Sequence, residues 1–162
     1  MSAEKKFRIR SSYLGVVYDP RLFKSTVTKV VAAVKAMRKK TPIDAIAFRG
    51  SSGAALAFIV GHKLGLSLLH VRKESSHTCD LVEGNLAAKK VLIIDDFIAT
   101  GATINKIVVD LRASLPKAKV VGLLLYKATM GESSVRELAH MLPRTALVKT
   151  IVPAYPPYGD VD

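Results

Sequence analysis

Val91-Leu92-Ile93-Ile94-Asp95-Asp96-Phe97-Ile98-Ala99-Thr100-Gly101-Ala102-Thr103 is the stretch on which the fold turns. Its four leading apolar residues read as a fully buried strand of a parallel sheet. Two adjacent carboxylates, Asp95 and Asp96, stand where that strand should end. A Thr-Gly-Ala-Thr turn follows, and a helical pattern opens at Thr103. This order sets two acids and a run of backbone N–H groups at the carboxyl edge of a sheet, where open α/β sheets bind ligands. Paired acids accept hydrogen bonds from vicinal hydroxyls. A turn that opens a helix holds a phosphate, because its N–H groups lack intrahelical partners and the helix dipole favours an anion. A sugar phosphate satisfies both halves.

The flanking sequence alternates between helix and strand patterns. Val27, Val30, Val31, Val34 and Met37 recur at helical spacing with lysines opposite. They predict a helix over Ser25–Lys40, capped by Ser25 and followed by Pro42. Ile43–Phe48 reads as a first core strand, Ala54–Leu64 as a helix closed by Gly65, and Leu66–Val71 as a second strand. Arg72–Lys90 has no clean periodicity and reads as a long loop, of the kind that serves as a lid. Val91–Ile94 is the third strand and Thr103–Leu115 a helix stopped by Pro116. Val120–Tyr126 reads as a strand, Glu132–Leu142 as a helix and Ala146–Val152 as a last strand. The predicted class is α/β, a Rossmann-like parallel sheet flanked by helices. No repeat or linker interrupts it, so residues 1–162 read as one domain. Its core spans about 25–152, with a small hood from the N-terminal segment, from 153–162, or from both.

The chain of 162 residues is long enough for a sizeable core, and 49% of it is apolar. No apolar run approaches the ~20 residues of a membrane helix, and Met1–Arg10 lacks the apolar centre of a secretory signal. A single cysteine, Cys79, excludes an internal disulfide framework, and no Cys/His spacing suggests zinc. A cytoplasmic protein without membrane contact is the expectation. The charge is uneven. There are 25 Lys and Arg against 13 Asp and Glu, a net +12. Residues 1–40 hold eleven of the cations and only two acids, Glu4 and Asp19. Such asymmetry suits nucleic-acid contact, a field that attracts a small polyanion, or a solvated helix face.

The run from Val91 to Thr103 closely resembles the phosphoribosyl-diphosphate signature of the type I phosphoribosyltransferases. The resemblance covers about Ile43 to Tyr126, in the family's order. It implies the phosphoribosyltransferase fold with a small hood. It also implies that Asp95 and Asp96 hold the ribose hydroxyls, and that Ala99, Thr100, Gly101, Ala102 and Thr103 form the 5′-phosphate loop. Phe48-Arg49-Gly50-Ser51-Ser52-Gly53 is neither a Walker loop nor a dinucleotide fingerprint. Its Arg49-Gly50 pair matches the family's diphosphate loop, which gives Arg49, Gly50 and Ser51 to the diphosphate. A strained or cis peptide near Arg49 occurs in some members. Val71-Arg72-Lys73-Glu74 is similar to the lid start of the orotate branch, where the arginine and lysine reach the diphosphate, so Arg72 and Lys73 take that catalytic role.

The implied activity transfers the phosphoribosyl group from phosphoribosyl diphosphate to a nucleobase. Mg²⁺ is the implied cofactor, with Asp95 and Asp96 as the nearby carboxylates and the metal carried in with substrate. A homodimer or higher homo-oligomer is the family expectation. For the base, Ala99 replaces the second acid of the hypoxanthine-guanine loop and points to an adenine-type purine. Lys127 points the other way, because 6-oxopurine enzymes carry a lysine at a similar place. Tyr155 and Tyr158 are candidates for stacking on the base, with Tyr13 and Tyr18 as alternatives. His62 and His70 read as packed residues. A second reading is a regulator that keeps this fold, binds phosphoribosyl diphosphate or a nucleotide, and contacts nucleic acid through the basic N-terminal region.

Overall fold

The computed structural model describes residues 14–73, 80–98, 100–127 and 140–151. The apolar runs become strands because each has two faces to bury. They are β1 (Ala45–Phe48), β2 (Ser67–Val71), β3 (Val82–Gly84), β4 (Lys90–Asp95), β5 (Lys119–Leu125) and β6 (Leu147–Thr150). Their order in the sheet is β3-β2-β1-β4-β5-β6. All neighbours run parallel except β2 and β3, which are antiparallel.

Four helices accompany the strands among the described residues: α1 (Gly15–Tyr18), α2 (Pro20–Lys40), α3 (Gly50–Leu64) and α4 (Ala102–Ser114). The period of two in each strand divides the core between them. Ile46, Leu92, Ile94 and Leu124 pack with Val30 and Val34 of α2 and Leu56 and Val60 of α3. Their sequence neighbours Ala45, Ala47, Val91, Ile93 and Leu123 pack with Ile104, Ile107 and Leu111 of α4 on the other face. None of these helices is long and apolar enough to cross a membrane.

Three sequence expectations change. The long amphipathic helix begins at Pro20, not Ser25. Asp19 accepts hydrogen bonds from the backbone N–H of Arg21 (2.9 Å) and Leu22 (3.3 Å), and Pro20 fits the first helical position. Residues 14–24 therefore join the core unit. α3 starts at Gly50, so Gly50-Ser51-Ser52-Gly53 is the first helical turn and not a separate loop. The expected loop over Arg72–Lys90 is interrupted by β3, whose three residues are too few for periodicity to register. Gly65 closes α3 in the left-handed conformation, φ 62°, as the sequence predicts. The short helix α1 has no counterpart in the sequence reading; the other described elements agree to within one or two residues, while most of the helix over Glu132–Leu142 lies outside the described residues.

Candidate active site

Strand order reverses between β1 and β4. α3 leaves the carboxyl end of β1 and leads to β2 on one side, and α4 leaves β4 and leads to β5 on the other. A crevice at such a point is where ligands bind in open sheets. Here it is a cleft of about 410 Å³. Its walls are the start of α3 (Arg49 to Ser52), Lys73 after β2, Asp95 to Ile98 after β4, and Thr100 to Ile104 at the start of α4, with Leu14 at one side. Two helix N-termini thus face one space, each with backbone N–H groups that have no intrahelical partner.

Asp95 ends β4 and is 3% exposed; Asp96 is 5% exposed. Asp95 accepts hydrogen bonds from the Asp96 backbone N–H (2.9 Å) and from Ser52 Oγ (3.2 Å). Burial pushes the Asp95 carboxyl up to about 7, against the lowering by that backbone hydrogen bond, and the neighbouring Asp96 charge adds to the rise. The turn is set by Gly101, at φ 75°, which caps α4, and Thr100 Oγ1 accepts from the Ala102 N–H at 3.4 Å. No cluster of three or more His, Cys, Asp or Glu that could hold a metal exists among the described residues. A hard cation in the cleft could take Asp95 and Asp96 as carboxylate ligands, with ligand and water oxygens completing its shell.

The diphosphate-loop residues are placed with a difference. Gly50 has φ 70°, and a Cβ there would stand 3.0 Å from Lys73 Cε, so the glycine leaves room for the lysine beside the helix start. No peptide bond among the described residues is cis. Arg49 lines the cleft, and its guanidinium is held by neighbours: Nη2 donates to the Lys73 carbonyl (3.2 Å) and Nη1 lies 3.5 Å from Asp110 Oδ2 of α4. Arg72 does not line the cleft; its side chain pairs with Glu83 of β3. Its backbone N–H bonds the Leu81 carbonyl at 3.0 Å and prolongs the β2–β3 ladder, which sets Arg72 beside β3 and the next residue, Lys73, toward the cleft. Lys127 also stays out of the cleft lining. Its Nζ sits 5.7 Å from the centroid of Phe97, which does line it. Ala99, Tyr155, Tyr158 and Tyr13 lie outside the described residues.

Sequence reasoning missed Tyr126. It is fully buried, its hydroxyl donates to the Ser52 carbonyl at 2.7 Å, and its N–H bonds the Asp95 carbonyl at 3.2 Å, so it ties the first turn of α3 to the acid pair. Ser52 was also missed as a donor to Asp95.

An adenine phosphoribosyltransferase of Treponema denticola is 28% identical to the chain, over 76% of this chain and 75% of the relative. An orotate phosphoribosyltransferase of Nocardioides sp. is 27% identical, over 82% and 78%. Both relatives are phosphoribosyltransferases, the enzymes whose signature the acid-pair run resembles. The fold agrees: the crystal structure of adenine phosphoribosyltransferase from Thermoanaerobacter pseudethanolicus superposes with a TM-score of 0.64 at 20% identity, covering 85% of this chain and 83% of the other. No protein-family model matches the chain. Asp95, Asp96, the Thr100–Thr103 turn, Gly50, Ser51 and Lys73 all line this one cleft.

Proposed function

We propose that the chain transfers a 5-phosphoribosyl group from phosphoribosyl diphosphate to a ring nitrogen of an adenine-type purine, releasing diphosphate and forming a nucleoside monophosphate, with Mg²⁺ as cofactor. The observation that carries this reading is the convergence of one buried acid pair and two helix N-termini on a single cleft. In this reading Thr100 to Thr103 hold the 5′-phosphate, and Asp95 and Asp96 accept from the ribose hydroxyls. The N–H groups of Gly50 and Ser51, with the Lys73 ammonium, hold the diphosphate. The base nitrogen bonds to C1 as the C1–oxygen bond to diphosphate breaks; the electron pair leaves with diphosphate, and the proton on that nitrogen passes to diphosphate or water. Positive character on the ribose ring is stabilised by the adjacent carboxylates, and charge on the departing group by Lys73 and the amides of α3. Bound Mg²⁺ would supply further neutralisation of the diphosphate, with Asp95 and Asp96 as the carboxylates that hold it.

The adenine assignment rests on Ala99 in the loop and on the adenine phosphoribosyltransferase among the relatives. The test is diphosphate release from phosphoribosyl diphosphate with Mg²⁺ and each of adenine, hypoxanthine, guanine, xanthine, uracil and orotate. Release with adenine is expected. Release with orotate alone would reassign the base, release with a 6-oxopurine would restore Lys127, and silence with all six bases would sink the transferase reading.

A further inference from the structure

α2 carries seven cations, Arg21, Lys24, Lys29, Lys35, Arg38, Lys39 and Lys40, and no acid. All seven are exposed. They stand opposite the buried stripe of Val27, Val30, Val34 and Met37 that fixes the helix on the sheet. At 3.6 residues per turn, Arg21, Lys24, Lys35 and Lys39 fall in one row along the helix, about 27 Å from end to end at ~1.5 Å per residue. Among the described residues, the ion pairing of this set is limited to Arg21 with Asp19 at 3.8 Å. Acids elsewhere do little to offset the row. Asp44 is turned to the backbone N–H groups of Lys89 and Lys90, Glu83 to Arg72, and Asp110 to Lys106. Asp95 and Asp96 are buried in the cleft.

From this we infer that the exposed face of α2 docks the phosphate backbone of double-stranded DNA, independently of the transferase reading. A row of cations along one helix, of which only Arg21 has an acid beside it among the described residues, matches a polymer with regularly spaced negative charge. A membrane surface fits worse, since an interfacial helix needs large apolar side chains beside its charges, and the exposed positions of α2 other than its cations are Pro20, Ser25, Thr28, Ala32 and Ala36. Single strands fit worse as well, because no exposed aromatic of α2 offers a stacking platform. RNA duplexes are read partly through 2′-hydroxyls, for which this face offers only two uncharged hydroxyls, and Thr28 already donates its own to the Lys24 carbonyl at 3.0 Å. Embedded on α3 and the sheet, α2 lies along the duplex and reads no bases. The row starts on the cleft side, near Leu14, and runs to the amino edge of the sheet, where Thr41 to Asp44 lead into β1.

The test is fluorescence anisotropy of a labelled DNA duplex of about 20 base pairs, which exceeds the row at ~3.4 Å per step, titrated with the full chain between about 50 and about 200 mM salt. Four phosphate contacts predict a slope of log K against log salt near −4, a loss of about 100-fold across that range. The K24Q/K35Q/K39Q chain should fold and keep the parent's kcat for diphosphate release. It should bind DNA at least tenfold more weakly at low salt, with a slope shallower by about 2 to 3. No binding by the parent would overturn the inference, as would undiminished binding by the triple variant. So would tighter binding to an RNA duplex, to oligothymidine or to phosphatidylserine vesicles than to duplex DNA.

Discussion

Asp95 sits where the fold opposes its charge. Its carboxyl is buried at the end of a central strand, beside a second carboxylate, and titrates near 7 instead of 3.8. A carboxyl raised in the folded state binds more protons folded than unfolded between those two values. Its contribution to stability is therefore greatest below about pH 4 and declines as pH rises to about 7, by up to ~4 kcal/mol if the whole shift is realised. Asparagine keeps the acceptor for the Asp96 N–H and the Ser52 hydroxyl and removes the charge. Asp95→Asn should raise the unfolding free energy at pH 8 by roughly 1 to 4 kcal/mol, and by almost nothing at pH 4, in urea melts. Diphosphate release should fall at least ~100-fold. A variant less stable than the parent at pH 8 would show that the charge is not opposed. The acid pair was legible because strand, acids and turn are contiguous. Tyr126 and Ser52 were not, because 74 positions separate a hydroxyl from the carbonyl it bonds and no local pattern encodes that meeting.

Helix ends carry most of the site, and they are also where the sequence was hardest to read. Ser25 looks like a cap, but Asp19 followed by Pro20 is the better one, and the apolar stripe alone cannot choose between them. Gly and Ser at 50–53 suit a turn as well as a first helical turn, so only the packed structure shows where α3 begins. Arg49 just before it was legible as a residue but not as a connection: its guanidinium reaches the Lys73 carbonyl and the Asp110 carboxylate, linking the start of α3 and the residues after β2 to α4. Gly50 and Gly65 bracket α3 with similar left-handed angles, φ 70° and 62°, yet only Gly50 has Lys73 against it. Alanine at either position should cost about 1 to 2 kcal/mol of stability. Gly50→Ala should also lower kcat by displacing the lysine, whereas Gly65→Ala, with nothing within 4 Å of the new Cβ, should leave kcat unchanged. Equal kcat in the two variants would remove Lys73 from the chemistry. Asp110→Ala tests the linkage itself. Stranding the Arg49 guanidinium, whose side chain is mostly buried, should cost roughly 2 to 3 kcal/mol, less than for a fully buried pair, read as a drop in the urea midpoint.

Over the whole molecule, the parallel sheet followed from the alternation of strand and helix patterns, and the site's position followed from the sheet. The antiparallel edge strand β3 did not, because its pairing is set by the return of the chain along β2 and not by its own three residues. Net charge is the property that no element owns. At +12, with most described acids occupied internally, the molecule presents a positive field to the proposed substrate, itself a polyanion. Such a field acts on encounter and is screened beyond about 10 Å at ~0.1 M salt, while contacts inside the cleft are screened far less. Raising KCl from about 20 to about 300 mM at fixed free Mg²⁺ should therefore lower kcat/KM for phosphoribosyl diphosphate by roughly tenfold and leave kcat within about twofold. The two parameters separate the scales: kcat reports the bound complex, and kcat/KM includes the approach. If kcat/KM is flat across that range, the charge of the whole chain has no part in substrate capture. If kcat falls in step with it, salt acts inside the cleft, on the carboxylates and helix ends that line it.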